Sequence, residues 1–420
     1  MAQAVPARLD AHFGVDPPAA MRAQARSPAA VPGDVRLSVY EDLAAIEKDW
    51  RAFEAQADST VFQSFDWLAT WQRHIGAPAG VAPAIVAGRD VRGNILFLLP
   101  LSVTASGFAR ELTWLGSDLC DYNAPLLAPG FAEQFDRARF IAVWRDITAN
   151  LQSHPHLGFD LTHLSKMPEM VGAQPNPMRY LGGTINPSGA YLTHLTSNWE
   201  TFYAAKRSSS TRRRDRTKRK RLGELGEVKL INPAAGAETD GTLKTLMVQK
   251  SRSFARMGVD NLFARPGHAE FYRAIATDPA TRHMVHVSRL DVGAVPAAIN
   301  LGLSYRDCYY HLLASYDDGE VSRFGPGAAH LHDLMQFAIE RGLKIFDFTI
   351  GDERYKRDWC DTELKLFDVI AAENWRGEFV AMPMLAKQRL KRWIKHTPVL
   401  WSAVSGLRAF AGALRQKLRG

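Results

Sequence analysis

The chain has 420 residues, 46% of them hydrophobic, enough for two domains with full cores. No apolar run approaches the roughly 18 residues of a membrane span, and the first residues lack the apolar region of a signal peptide. Cys120, Cys308 and Cys360 are odd in number and widely spaced, which argues for free thiols in a reducing cytoplasm, and no pair has zinc-ligand spacing. The net charge of +8 is unevenly placed. Residues 206–221 hold ten basic residues against one acidic, Asp215, and residues 381–420 hold nine basic and none acidic, so the rest of the chain is net acidic.

Residues 1–33, rich in Ala, Pro and Arg, read as a disordered leader. A first domain is expected over 34–195. It opens with a strand at 36–40 and a helix at 42–57. Residues 65–74 place Trp67, Trp71 and His74 on one helical face, either a core stripe or a wall for an acyl or sugar group. A hairpin follows, 84–87 and 95–103 around Arg92-Gly93-Asn94, then Leu112–Gly116 and the segment 118–122. Leu126-Leu127-Ala128-Pro129-Gly130 leads into a helix at 135–151 and then Phe159-Asp160-Leu161.

A second domain is expected over 196–380. A helix beginning at 196 runs on through SSSTRRRDRTKRKRLGELG, with Arg213, Arg216 or Thr217, and Lys220 along one face. It reads as a solvated connector or as a site for an anionic acceptor such as a sugar nucleotide, a lipid pyrophosphate or a membrane surface. Nucleic acid is disfavoured, because no aromatic side chain interleaves the run. A loop at 252–266 and a helix at 268–275 precede a three-strand meander at 284–290, 295–304 and 307–316. Gly325-Pro326-Gly327 then makes a tight turn into a helix whose stripe is Leu331, Leu334, Met335, Ala338 and Ile339, ending at Arg341-Gly342. Such a turn leaves backbone N–H groups at the positive end of a helix, a ready anion site. The strand 343–350 carries Asp347 and passes into the polar loop Gly351-Asp352-Glu353-Arg354, then Tyr355, Lys356 and Trp359. Residues 381–420 read as a basic amphipathic tail, with Leu400, Val404, Leu407, Ala411, Leu414 and Leu418 at helical steps; it packs on the body or binds an anionic membrane.

Hairpin, Pro-Gly turn, helix and Phe-Asp-apolar strand occur twice, which points to a duplicated domain. No G-x-S-x-G, H-E-x-x-H or Walker loop is present, and nothing in the residue spacing suggests a metal. His154 and His156, and His330 and His332, are two apart and read as structural.

Strand, glycine turn, helix, strand is the layout of the acyl-CoA site in the GNAT acyltransferase superfamily. Phe324, Pro326-Gly327, Arg341-Gly342, Phe346-Asp347-Phe348, Gly351-Asp352 and Tyr355-Lys356 resemble the CelD/BcsL family of polysaccharide-biosynthesis acyltransferases, related to FemAB-type aminoacyl transferases. So do Phe62-Gln63-Ser64 with Trp67 and Trp71, Leu115-Gly116-Ser117, and Asp121-Tyr122; together the likeness spans residues 36–370. One position departs: the superfamily has Arg or Gln three residues before its first glycine, where this chain has Ser322, with Arg323 one place late.

The resemblance implies a mixed α/β fold of tandem GNAT-like domains, each a twisted mixed sheet flanked by helices. It implies an N- or O-acyltransferase using acetyl-CoA or another acyl-CoA, acting on an amino sugar or glycan precursor in exopolysaccharide, cellulose or cell-envelope biosynthesis. In that scheme Arg323, Gly325, Gly327, Ala328 and Ala329 hold the donor phosphates, and the amide at Ser315 polarises the thioester. Asp347 or Asp352 is the base, and Tyr355 with Lys356 stands near the acceptor. The first domain shapes the acceptor site, with Trp67, Asp121 and Tyr122, while Arg213 meets an anionic sugar or lipid-linked acceptor. The expected location is cytoplasmic, peripheral on the inner membrane face. Two other classes remain open: a FemAB-like enzyme using aminoacyl-tRNA, and a non-catalytic scaffold of a polysaccharide-synthesis complex.

Overall fold

The structure, a computed structural model, describes residues 29–30 and 35–396, with side chains described for 35–393. Most of the leader and the Leu400–Leu418 stripe lie outside the described residues.

In chain order the main elements of the first half are β1 (Arg36–Tyr40), α1 (Glu47–Glu54), α2 (Phe65–Trp71), β2 (Ala82–Arg89), β3 (Ile95–Ser106), β4 (Ala109–Trp114), α3 (Arg137–Ser153) and β5 (Leu161–Pro168). The second half contributes β6 (Ala190–His194), α4 (Trp199–Lys206), α5 (Ser209–Leu225), β7 (Val228–Ile231), α6 (Ala237–Met257), α7 (His268–Thr277), β8 (Val285–Val292), β9 (Val295–Tyr305) and β10 (Cys308–Tyr316). After these come α8 (Pro326–Glu340), β11 (Ile345–Ile350), α9 (Arg354–Arg357), β12 (Thr362–Leu364), β13 (Leu366–Ala372) and α10 (Trp375–His396).

Local chemistry explains several ends. Ser64 caps α2 and Asp136 caps α3, each accepting from a backbone N–H three residues on. Proline at the first position of α8 has no N–H to strand. The other end of α8 closes as a Schellman motif: Leu343 N–H bonds Ala338 O, Gly342 N–H bonds Ile339 O, and Gly342 takes φ +74°. The expected continuous helix from 196 is two helices. Arg207 is extended, and Ser208 caps a new start by accepting from Thr211 N–H.

The chain forms two compact units. Among the described residues, one contains those up to Pro187 together with 365–396. Its sheet runs β1-β2-β3-β4-β5-β13, with Ala29–Ala30 and Thr184–Ile185 at the edges and Leu126–Leu127 beside β3. Only β4 and β5 run parallel, joined across α3. The core on this sheet includes Leu37, Val86, Phe97, Leu99, Leu112, Trp114, Phe140 and Leu164. The other unit is Ser188–Leu364, with sheet order β7-β8-β9-β10-β11-β6-β12. Again only one pair is parallel, β10 with β11, joined across α8. Tyr191, Phe202, Tyr309, Leu334, Met335, Phe346, Phe348 and Trp359 form its core. The duplicated pattern read in the sequence is therefore a duplicated topology.

The division differs from the expected boundaries at 195/196 and 380/381. β6 bonds β11 and β12, so residues 190–194 belong to the second sheet. β13 pairs with β5, so residues 366–372 belong to the first. The basic segment 387–395 is the end of α10, which begins at Trp375 and buries Ala381 against Ala109 and Leu161 of the first unit.

Candidate functional site

β10 and β11 are paired over three residues only, Cys308 with Ile345, Tyr309 with Phe346 and Tyr310 with Asp347. Beyond that point β10 stays with β9 as far as Tyr316, and β11 follows β6. The strands splay, and the Ser188–Leu364 unit holds a cavity of ≈ 550 Å³ whose wall includes both strand ends. That wall is formed by Lys250 on α6, His311, Ala314 and Ser315 on β10, residues 325–328 at the start of α8, Thr349 on β11, and Glu353, Tyr355 and Lys356 beyond it.

At the glycine turn most amides are already committed. Gly325 N–H bonds Ser322 O at 3.1 Å, and Gly325 O accepts from Ala328 and Ala329 N–H at 3.1 and 3.2 Å. Pro326 has no N–H, so Gly327 N–H is the turn donor that has no partner among the described residues. The expected cradle of amides over 325–329 thus reduces to Gly327. Cations make up the difference. Arg207, and Arg214 and Lys218 one turn apart on α5, line the cavity, and Lys218 Nζ stands 3.8 Å from where a Cβ on Gly325 would lie. Arg207 is paired with Asp358 at 3.4 Å, and Asp215 accepts from Tyr203 Oη at 2.8 Å.

At the other strand end the backbone is strained. Thr349 has φ +60°, a conformation rare for a β-branched residue and costly to hold. Asp347 Oδ1 holds this kink by accepting from Thr349 N–H at 2.7 Å. Lys356, 3% exposed, reaches back to Thr349 O and Ile350 O at 3.3 and 2.9 Å and to Glu353 at 3.0 Å. The result is a buried ammonium paired with a partly buried carboxylate in the cavity wall.

On the facing side Lys250, 4% exposed, donates to Ala314 O at 3.0 Å. Next to it Gln249 accepts from Ser315 Oγ at 2.8 Å and donates to Pro296 O at 2.8 Å, fixing that end of β10. Burial lowers the pKa of Lys250 to about 8. Burial also pushes His330 down to about 3 and His311 well below the usual histidine range, so both are neutral near pH 7. His330 and His332 both reach the cavity wall; His330 bonds Ser288 Oγ at 3.0 Å, and burial lowers His332 to about 4. Burial raises Tyr355, keeping its hydroxyl protonated.

Of the residues the sequence singled out, the cavity brings together Ser315, Gly325, Gly327, Ala328, Tyr355 and Lys356. Arg323, Ala329, Asp347, Asp352 and Arg213 are not in its wall. Asp347 serves the Thr349 kink, Asp352 lies 3.5 Å from Tyr191 Oη, and Arg213 is exposed on another face of α5. Trp67, Asp121 and Tyr122 are buried in the first unit, where Trp67 and Tyr122 both pack edge-on against Phe62. That unit has the same strand geometry: β4 and β5 pair in parallel over two residues, and Lys166 has φ +57°. There the strand end is bonded to residues 120–123. Asn123 N–H bonds Lys166 O at 3.1 Å, its Nδ2 bonds Ser165 O at 2.9 Å, and Lys166 Nζ reaches Cys120 O.

Reasoning from sequence missed Lys250, Glu353, His311, Arg214 and Lys218. Lys250 had a usable signal. Leu243, Leu246, Lys250 and Phe254 fall at helical spacing among the buried residues of α6, so a lysine occupies a core position of an amphipathic helix.

Residues 209–357 match the family described as an acetyltransferase (GNAT) domain. No curated protein sequence matches the chain. Among solved structures, that of FemX is similar at 10% identity, covering 76% of this chain and 95% of that one, with a TM-score of 0.54. A tandem GNAT protein from the clavulanic acid biosynthesis pathway, solved without AcCoA, is 11% identical over 84% of this chain and 100% of that one, at a TM-score of 0.43. The chain has a mixed α/β fold of two similarly connected twisted sheets flanked by helices, and residues 209–357 carry a GNAT acetyltransferase-like domain.

Proposed function

We propose that the chain transfers an acyl group from an acyl-CoA to an amine or hydroxyl of an amino sugar or glycan precursor, as the CelD/BcsL resemblance implies. The observation that carries the reading is the cavity between β10 and β11, with Gly327 N–H and the Arg214 and Lys218 cations at one part of its wall and Ser315, Tyr355 and Lys356 at others. Donor phosphates suit the first group, because a helix N-terminus and ammonium or guanidinium groups both favour anions. The pantetheine arm then follows the open edge of β10 and brings the thioester to Ala314–Ser315.

Direct transfer requires a proton acceptor for the attacking group and stabilisation of the oxyanion. Glu353 lines the cavity and takes the base role considered for Asp347 or Asp352, directly or through water. Lys356 stabilises the negative charge that develops on the carbonyl oxygen. Tyr355, kept protonated by burial, donates a hydrogen bond to the departing thiolate, which takes up the proton that Glu353 removed from the acceptor. The acceptor is an anionic sugar or lipid-linked glycan.

Peripheral attachment at the inner face of an anionic membrane, in a cytoplasmic setting, is supported by α10. It exposes Trp375, Phe379, Met382 and Leu390 and carries Lys387, Arg389 and Arg392. No helix among the described residues is long and apolar enough to cross a membrane. A second donor, aminoacyl-tRNA, is favoured by the exposed Arg213, Arg216 and Lys220 of α5.

Calorimetric titration with coenzyme A and acetyl-CoA tests the donor, and RNA co-purifying with the protein in place of coenzyme A binding would select the tRNA reading. Glu353→Gln is expected to lower turnover about 100-fold while donor affinity stays within threefold. Unchanged turnover would remove Glu353 from the mechanism, and absence of both donors would leave the scaffold reading.

A further inference from the structure

The buried part of the cavity is chemically unlike a pocket for an acetyl group or an alkyl chain. Lys250 and Lys356 are 4% and 3% exposed, and His311, Thr349 and Glu353 share the wall with them. Glu353 is ion-paired with Lys356 at 3.0 Å. His311 and His330 are held neutral by burial and add no charge. Among the described residues of this buried part, two ammonium groups against one carboxylate give the wall a positive bias.

Lys250 is the informative member. Helix α6 buries Leu243, Leu246 and Phe254 as well as the uncharged polar Thr239, Thr242 and Gln249, so Lys250 is its one buried charged side chain and packing alone does not ask for a charge there. Instead an ammonium group is withdrawn from water and held at 3.0 Å from Ala314 O, beside Ser315. A cation in such a place is worth most to an anion that enters the same dry space, where a charge-assisted hydrogen bond is strong.

We infer that this wall is an anion subsite with Lys250 as its principal cation, and that the donor's acyl chain ends in a carboxylate, as in a dicarboxylic acyl-CoA. The inference rests on the acyl-CoA reading, which is what lays the thioester beside Ala314–Ser315. Lys250 would then be a specificity-determining residue that touches the acyl terminus, leaving proton transfer to the Glu353–Lys356 side.

The test compares succinyl-CoA with butyryl-CoA, which matches it in chain length and lacks the carboxylate, and with free coenzyme A, all by calorimetry on the full chain. The parent is expected to bind succinyl-CoA at least about tenfold more tightly than butyryl-CoA. Lys250→Met should erase that preference and Lys250→Arg should keep most of it, with circular dichroism confirming the fold. Equal affinities for the two thioesters in the parent, alongside normal coenzyme A binding, would overturn the anion subsite and leave the donor reading standing. A preference that survives Lys250→Met in a folded protein would overturn the role of Lys250. Failure to bind coenzyme A at all would overturn the donor reading and this inference with it.

Discussion

Lys250 governs a pH response that can be measured without any substrate. Burial, with repulsion from Lys356, lowers its pKa from 10.5 to about 8. The titratable groups that share its cavity wall include Lys356, Glu353 and Tyr355, His311 from β10, His330 and His332 from α8, and Arg207, Arg214, Asp215, Lys218 and Asp358. Between pH 8 and 10.5 the unfolded chain binds the proton and the folded chain does not. Stability therefore rises with pH across that window, and the gain is lost as pH falls through about 8. Lys250→Met removes the buried charge but leaves Ala314 O without its 3.0 Å donor. The variant is expected to be more stable than the parent at pH 7 by roughly 2 kcal/mol, with a flatter profile above pH 8. Urea unfolding at pH 7, 8, 9 and 10 checks this, and a parent without a rising limb would refute the assignment. At this scale the sequence exposed residues tied to a motif, such as Gly327 and Lys356, and hid Lys250. A lysine in a helix reads as solvated until the strand it faces is known.

Helix α8 was legible as an element, because its stripe, Pro326 and Gly342 all agree on where it starts and stops. What its N-terminus offers a ligand was not legible, since amide use depends on the turn geometry. The two glycines have different duties. Gly325 sits at φ +66°, so Gly325→Ala strains the backbone and should cost about 1–2 kcal/mol. Gly327 has no such φ, and an added Cβ would stand 3.6 Å from Tyr316 Cδ1, an ordinary contact. Gly327→Val should therefore fold with little change in Tm yet lose at least about tenfold in coenzyme A affinity, because its methyl groups enter the cavity and crowd the free N–H. Thermal melts and calorimetry on both variants separate the two duties; full affinity in Gly327→Val would move the donor phosphates elsewhere. Helix α5 shows the opposite weakness. It is polar nearly all round, with Leu222 buried, so no apolar stripe set its rotation. The sequence favoured the Arg213 face, whereas Arg214 and Lys218 line the cavity.

For the whole molecule the consequential feature is where the chain crosses between its two sheets. Ser188–Leu364 is continuous and owns β6, while the other unit needs β13 from beyond residue 364. Residues 188–364 alone should melt cooperatively and bind coenzyme A. A fragment cut at the boundaries the sequence suggested, 196–380, lacks β6, opens the edge of β11 and carries β13 without its partner β5, so it should aggregate. Size-exclusion chromatography and thermal melts of the two fragments decide this, and a monomeric, cooperative 196–380 would count against the strand assignment.

The sequence by itself determined the local elements, the duplication and the strand–turn–helix–strand unit. Those follow from periodicity, capping and glycine chemistry within short stretches of chain. Tertiary structure alone decided which strand completes which sheet, because β6 and β13 are apolar strands whose partners lie far away in sequence. It also decided which strand end opens into a cavity. Two parallel pairs splay alike, and at the first Asn123 and Lys166 tie residues 120–123 to the strand end, while the second is lined by Lys250, Glu353 and Lys356. Side chains from α5, α6, β10 and the loop after β11 meet there only through packing, and no spacing along the chain encodes that meeting.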